Sequence, residues 1–388
     1  MHRLTDERRM IQEAARQFTM ERVLPIANKL DPEKGKIPRE LIDEMAELGY
    51  FGILIPEEYG GLGLGAYEYC LVAEQLSRGW MSAASLIARG NGLIGALKAL
   101  SPERKAEYLP RMARGEFLGA FSLSEPNAGS DIANISCHAV RIGSEWEITG
   151  NKYWCTFADD ADFILVVART DAAIDPKGRH RGLSAFIVEK PRGRLPENVK
   201  GSVIPKIGYH GWTTWELAFD GCRVPASAIV GDEGAAFYLA TAGLETARAH
   251  TAARSIGLAQ GSLEDSLQYA RERSQFGSPI GDFQAIRFKL ADMATQIEAA
   301  RALLYSVCET IDEGQRCDMQ ASMVKLFASE MSERVTSEGL QIHGGAGYTT
   351  YFAAERYWRD ARLTKIFEGT SEIQMRIISD ALLGKVVS

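Results

Sequence analysis

A chain of 388 residues, 46% hydrophobic and 24% charged, can bury a large core and has room for two or three domains. Its formal net charge of −7, with no Lys/Arg-rich run, argues against a nucleic-acid partner. Six cysteines without a C-x-x-C pair and six histidines without ligand spacing argue against a disulfide frame or a metal site. No apolar run reaches membrane-spanning length and no signal or transit peptide is evident, so a soluble cytoplasmic protein is expected.

In chain order, Thr5 reads as the N-cap of a first helix. Asp6 and Glu7 lie in its first turn, and Ile11, Ala14, Ala15 and Phe18 fall on one face. A second helix is expected over 38–48, opening on Pro38 and stopping at Gly49. Next, Gly61-x-Gly63-x-x-Ala66 matches the dinucleotide fingerprint in form. That fingerprint needs a strand running into the first glycine and an acid about 20 positions on. Pro56 and two glutamates interrupt the approach, and no Asp or Glu lies between Glu74 and Glu103, so a turn between helices is expected. Helices to about residue 76, over 82–100 and over 102–113 complete an all-helical domain, 1–115.

After Gly115 the texture changes to strands, expected at 117–123, 138–142, 145–148, 163–168, 183–188 and 216–219. Gly143-Ser144 and Asp220-Gly221 mark turns between them, and the polar stretch 170–181 reads as a surface loop. Residues 116–230 therefore form a β domain. From Gly231 the pattern is helical again. Ile286, Leu290, Met293, Ile297, Ala300 and Leu304 make one apolar stripe, and Met319, Met323, Phe327, Met331 and Val335 a second. The region 231–388 reads as a helical bundle, giving an α+β multidomain chain.

Five segments carry residues suited to chemistry. In 120–131, hydroxyls and backbone N–H groups in a Pro/Gly turn can cradle phosphate or ring heteroatoms, though a surface turn has the same composition. Gly150 to Thr156 places aromatics before a hydroxyl at a strand end, able to lie against a flat ring or to pack in the core. Arg273 with Phe276-Gly277, and Gln341 to Tyr348 with its glycines, combine a cation suited to pyrophosphate with close backbone approach. Last, in Phe367-Glu368-Gly369-Thr370-Ser371-Glu372, a carboxylate sits after an apolar pair and before a helix start whose apolar positions are Ile373, Ile377 and Ala381. Desolvation makes such a loop carboxylate a stronger base; the same residues also describe a solvated acid ahead of a capped helix.

Taken together and in this order, these segments resemble the acyl-CoA dehydrogenase flavoprotein family nearly end to end. The most specific pieces are Leu123-Ser124-Glu125-Pro126-Asn127-Ala128-Gly129-Ser130-Asp131 and Phe367-Glu368-Gly369-Thr370-Ser371-Glu372. The resemblance implies a helical domain, a small β-barrel-like domain and a C-terminal four-helix bundle. It also implies FAD, a homotetramer or dimer, and a role in fatty acid or amino acid catabolism. Phe121, Leu123, Ser124, Trp154 and Thr156 would hold the flavin ring, and Ser130 the CoA pantetheine or phosphate. Arg273, Phe276, Gln284, Gln341, Gly344 and Gly345 resemble segments lent to a neighbouring subunit's FAD, with Thr370 and Glu372 as further FAD contacts. Glu245 and Arg248, at i and i+3 on one helix, match the CoA side.

The reaction implied is α,β-dehydrogenation of an acyl-CoA to the trans-2-enoyl-CoA, with electrons passed to an electron-transfer flavoprotein. Glu368 would be the base, and Gly369 would let the thioester lie close to the backbone. Some branches of the family place the base just before the arginine of Leu244-Glu245-Thr246-Ala247-Arg248. Here that position is Ala247, which cannot take a proton. Arg89, in the apolar stretch 86–91, could receive a substrate carboxylate or be paired internally. Wording such as Leu76-Ser77-Arg78-Gly79 and Gly208-Tyr209-His210-Gly211 is similar to the methylsuccinyl-CoA dehydrogenase branch, so a short branched or dicarboxylic acyl group is an expectation. The rival readings are an acyl-CoA oxidase and a flavin-free assembly protein. A hydrolase suggested by His343-Gly344-Gly345 lacks any G-x-S-x-G elbow.

Overall fold

The computed structural model describes residues 4–171, 176–241 and 243–384. Its N-terminal part is helical: α1 (Asp6–Phe18), α2 (Leu24–Leu30), α3 (Arg39–Glu47), α4 (Ala66–Gly79), α5 (Met81–Leu86), α6 (Ala88–Asn91), α7 (Ile94–Leu97) and α8 (Pro102–Ala113). The Thr5 hydroxyl accepts from Arg8 N–H at 3.2 Å and caps α1 as expected. The expected single helix over 82–100 is instead three short pieces, α5, α6 and α7. Gly90 and Gly92 weaken the helix there, and the Asn91 side chain is committed elsewhere. It accepts from Leu54 N–H and donates to Tyr50 O, both at 2.8 Å, tying the break to the 50–55 segment. The glycine-rich stretch before α4 is a turn, and Asp312 caps the helix it leads into by accepting from Ala66 N–H at 2.6 Å.

One mixed sheet follows, built from β1 (Gly119–Ser122), β2 (His138–Ile142), β3 (Glu145–Thr156), β4 (Phe163–Arg169), β5 (Leu183–Glu189), β6 (Val199–Val203), β7 (Thr214–Pro225) and β8 (Ile229–Val230). The order is β6-β7-β3-β2-β4-β5-β8, with β1 parallel to β4. Strands β3 and β7 are far longer than the expected 145–148 and 216–219. They pair antiparallel along their length, with irregularities after Ile148 and after Lys152 that the alternation pattern does not survive. Strand β6 was not expected, since of its residues only Val199 is buried. Of the expected loop 170–181, residues 172–175 lie outside the described residues, and Pro176–Gly182 is a 3₁₀ turn.

The C-terminal part comprises α9 (Ala236–Thr241), α10 (Leu244–Glu272), the hairpin β9 (Ser274–Gln275) and β10 (Ser278–Pro279), α11 (Gln284–Asp312), α12 (Asp318–His343), α13 (Ala354–Thr364) and α14 (Ser371–Leu383). Small residues let α10 approach its neighbours closely: a Cβ on Gly257 would lie 2.2 Å from Glu74 O of α4. The α11 stripe packs inward from Met293 to Leu304. On α12 the expected stripe is only half right. Met331 and Val335 are buried, but Met319, Met323 and Phe327 are partly exposed, while Ala321, Val324 and Ala328 face inward with Ser322, Ser329 and Ser332. Serines at such positions read as a polar face until the tertiary contacts are known. On α14 the buried residues are Ser371 and Gln374, and Ala381 is exposed, because its inner face makes hydrogen bonds, not apolar contacts.

All six cysteines are buried and free. Among the described residues no helix is long and apolar enough to cross a membrane.

Candidate active site

Glu368 ends the turn between α13 and α14 with φ +53°, and Gly369 follows at φ +88°. A non-glycine residue at positive φ is uncommon and needs support from its surroundings. Lys325 of α12 supplies it, donating from Nζ to Gly369 O at 2.6 Å. The Gln374 amide adds a second donor to the same carbonyl at 3.1 Å. On the α14 side, Thr370 accepts from Ile373 N–H at 3.3 Å and the Ser371 hydroxyl reaches Glu330. Desolvation pushes the fully buried Lys325 amine down to about 8, against an upward pull from Glu368.

The Glu368 carboxylate is 34% exposed on one side and held on the other by α10. Oε1 accepts from Arg254 Nη2 at 2.7 Å, and Oε2 accepts from the Thr251 hydroxyl. The same oxygen lies 3.0 Å from Ala247 O, its alternative acceptor, so the helix presents Thr251 one turn beyond the alanine. Arg254 is 2% exposed. Its Nη1 donates to Ser85 Oγ at 2.8 Å, its Nη2 also to Thr251, and the guanidinium lies 4.7 Å over the Phe367 ring. Burial disfavours the Arg254 charge, yet Glu368 and Tyr209 together raise its pKa above the usual value. The wall behind the carboxylate is thus cationic and hydroxylic, not the apolar wall that Ile366 and Phe367 implied in sequence; Ile366 is itself exposed.

Phe121, Leu123 and Ser124 are partly buried where β1 runs into the 123–131 turn. The turn is bolted to β3 by a buried ion pair, Lys152 Nζ to Glu125 Oε1 at 2.9 Å. Lys152 also donates to Leu123 O, while Glu125 accepts from Ser136 N–H, Ser136 Oγ and Cys137 N–H. Burial alone would raise the Glu125 carboxyl, but Lys152 and those N–H donors hold it below the ordinary range. Beyond Lys152, Trp154 sits at φ +63° and is 56% exposed, so it does not pack in the core. Thr156 is partly buried, its hydroxyl 3.0 Å from that of Thr214. Ser130 is exposed on the turn.

Other residues singled out in the sequence are not among the hydrogen-bond partners of the Glu368 carboxylate. Phe276 and Gly277 form the tip of the β9–β10 hairpin, with Phe276 96% exposed at φ +52°. Arg273, Gln284, Gln341, Gly344 and Gly345 are likewise exposed. Thr370 and Glu372 start α14; Glu372 is held below its ordinary pKa by its own backbone N–H and by Thr370. Glu245 accepts from Cys317 N–H at 2.7 Å at the start of α12, and Arg248 lies buried 3.6 Å from Asp318. Arg89 is partly buried, 5.6 Å from the Phe157 ring centroid, with no hydrogen-bond partner for Nε among the described residues.

Sequence reasoning missed Thr251, Arg254, Lys325, Glu125 and Lys152. A charge inside the small-residue run Ala252-Ala253-Arg254-Ser255 was a usable signal for Arg254. Lys325, between Val324 and Leu326, was another.

Three family profiles tile the chain: the N-terminal domain of acyl-CoA dehydrogenase over residues 5–116, its middle domain over 120–222 and its C-terminal domain over 234–383. The chain belongs to the acyl-CoA dehydrogenase family. This acyl-CoA dehydrogenase is accordingly an oxidoreductase of a FAD-dependent family. The (2S)-methylsuccinyl-CoA dehydrogenase of Cereibacter sphaeroides is 40% identical over 389 residues, covering 98% of this chain and 70% of the relative. A chain in a solved structure described as the electron transferring flavoprotein of Acidaminococcus fermentans superposes with TM-score 0.93 at 36% identity, covering 99% of this chain and 100% of that one. A glutaryl-CoA dehydrogenase from Mycobacterium smegmatis in complex with FADH2 does so with TM-score 0.90 at 29% identity, covering 99% and 96%.

Proposed function

We propose that this enzyme converts an acyl-CoA to the trans-2-enoyl-CoA, with Glu368 as the base that takes the α-proton. When bound, FAD supplies the two-electron acceptor for the β-hydride, and an electron-transfer flavoprotein then receives the electrons. The single observation that carries the reading is Glu368 itself: a one-third-exposed carboxylate on a braced left-handed turn, oriented by Thr251 and Arg254. An α-C–H beside a thioester is a weak acid, so a positioned base is the first requirement of the chemistry. The second is a donor to the thioester oxygen, for which the family resemblance offers Glu368 N–H.

The residues present suit FAD. Trp154 exposes an aromatic face beside the 123–131 turn, to which Tyr153 N–H is bonded through Ser124 O at 2.8 Å. Phe121, Leu123, Ser124 and Thr156 would complete the ring site, and Ser130, Glu245, Arg248 and Gly369 would meet the CoA thioester. Exposed aromatics at Phe276, Tyr348 and Tyr351 favour a homotetramer or dimer in which Arg273, Phe276, Gln284, Gln341, Gly344 and Gly345 reach a neighbour's FAD, beside Thr370 and Glu372. Six unpaired cysteines fit a cytoplasmic location.

Anaerobic titration with a panel of acyl-CoAs, following flavin absorbance, tests cofactor and reaction together. Glu368→Gln should keep FAD and lose reduction by a factor on the order of 10²–10⁴. Near-normal reduction in that variant refutes the assignment. Hydrogen peroxide release during turnover in air, in place of transfer to the flavoprotein, would mark an acyl-CoA oxidase.

A further inference from the structure

Lys206 stands in the loop 204–213 between β6 and β7, and that loop is fixed at three points. Ile204 N–H donates to Thr214 O at 2.8 Å, Tyr209 N–H to Asp360 of α13 at 2.6 Å, and the Trp212 indole to Ser82 O of α5 at 3.0 Å. Held in this frame, Lys206 Nζ donates to Trp212 O at 2.8 Å and to the Thr214 hydroxyl at 3.0 Å, and lies 5.2 Å from the Tyr209 ring centroid. Thr214 faces Thr156 across the β3–β7 pairing, with the two hydroxyls 3.0 Å apart. Burial pushes the Lys206 pKa down to about 8 against the pull of Asp360, with Arg89 adding to the push. At pH 7 the group is therefore still chiefly an ammonium.

The chain of three groups has a direction. An ammonium has no acceptor, so Thr214 Oγ1 must receive a Lys206 proton. Thr214 is 3% exposed, and among the described residues the one acceptor within reach of its own proton is Thr156 Oγ1. A buried hydroxyl proton seldom goes unpaired, so Thr214 donates to Thr156. Thr156 thus accepts on its inner side, and its own O–H is left to donate outward. That residue is partly exposed and has no other side-chain hydrogen bond among the described residues. Each donor polarises the next, which makes a hydroxyl at the end of a charged chain a stronger donor than an isolated one. A tie to Trp212 O alone would hold the loop; the second bond, to Thr214, is what connects the charge to β3.

We propose that Lys206 is a positioning residue for the flavin: through Thr214 it fixes Thr156 as a hydrogen-bond donor to the ring and raises the reduction potential of bound FAD. This rests on the reading that FAD occupies the site beside Thr156. The oxidised ring offers acceptor nitrogens and oxygens to such a donor, and reduction adds negative charge that a cation-backed donor stabilises.

The test measures FAD content, and the midpoint potential of the holoenzyme by anaerobic equilibration with redox dyes at pH 7, for wild type, Lys206→Met, Lys206→Arg and Thr214→Val. Lys206→Met should shift the equilibrium of bound FAD at least about tenfold toward the oxidised form, about 30 mV for a two-electron couple. Thr214→Val, which keeps the charge but cuts the chain, should shift it in the same direction. A Lys206→Met/Thr214→Val double variant should go no further than Lys206→Met, since both act through one chain. Lys206→Arg should recover most of the wild-type potential. Unmoved potentials in FAD-loaded Lys206→Met and Thr214→Val overturn the inference, mark the lysine as a loop tie and leave the FAD reading standing. A shift in Lys206→Met with none in Thr214→Val also overturns it, by assigning the effect to charge alone. A wild type that binds no FAD overturns both.

Discussion

Lys152→Met isolates the device that holds the 123–131 turn. The Lys152 side chain has no exposed surface and that of Glu125 only 4%, so neither charge can be rehydrated without moving the strand. Removing the ammonium leaves a carboxylate with three donors from Ser136 and Cys137 and no counter-charge. Breaking such a buried pair costs about 3–5 kcal/mol, whereas replacing both partners by apolar groups is often close to neutral. A loss of that size lowers the melting point of a domain-sized unit by roughly 6–20 °C. Guanidinium and thermal unfolding followed by tryptophan fluorescence reports on the sheet through three of the six tryptophans, Trp146 and Trp154 on β3 and Trp215 on β7. The transition of the β domain is the one to compare, because a chain of several domains need not unfold in one step. The pH dependence carries the same signature. Glu125 has its folded pKa held low, so its stabilising contribution is present above the unfolded value and is lost as pH falls through the folded one. The gap between wild type and Lys152→Met should therefore shrink below about pH 4. A single-variant loss under about 1 kcal/mol, or a Glu125→Leu/Lys152→Met double variant no better than Lys152→Met, would refute the argument.

Two further expectations follow from the same packing. Lys325 has its pKa pushed down to about 8, so its contribution is present above the unfolded value and lost as pH falls through the folded one. Wild type should then gain on Lys325→Met by up to about 1.4 kcal/mol per pH unit between roughly pH 8 and 10, and a flat difference in urea midpoints across that range would contradict it. Gly257→Ala places a Cβ 2.2 Å from Glu74 O and 2.8 Å from Ser77 Cβ, so α10 and α4 must separate. The expected cost is about 1–3 kcal/mol by thermal unfolding, and a change under about 0.5 kcal/mol would mean that the helices yield freely.

The sequence by itself determined the local grammar of this enzyme. Thr5 and Thr370 are capping residues whose hydrogen bonds span three positions, so their helix starts were legible without any tertiary knowledge. The change from helical to alternating texture after Gly115, and back after Gly231, located the sheet for the same reason: periodicities of 3.6 and 2 are local. The stretch 367–372 could be singled out because family resemblance reads residue order.

Only the tertiary structure decided what surrounds Glu368. Its partners, Arg254 and Thr251, lie 114 and 117 positions earlier, and no local pattern couples a loop acid to a helix that far away. Lys152 and Glu125, 27 positions apart, form a buried ion pair that neither local segment announces. The helix over 82–100 was misread because the Asn91 amide is buried against the distant Tyr50 carbonyl. A polar side chain buried against a distant backbone has the same sequence signature as one facing water, and only its partner tells the two apart.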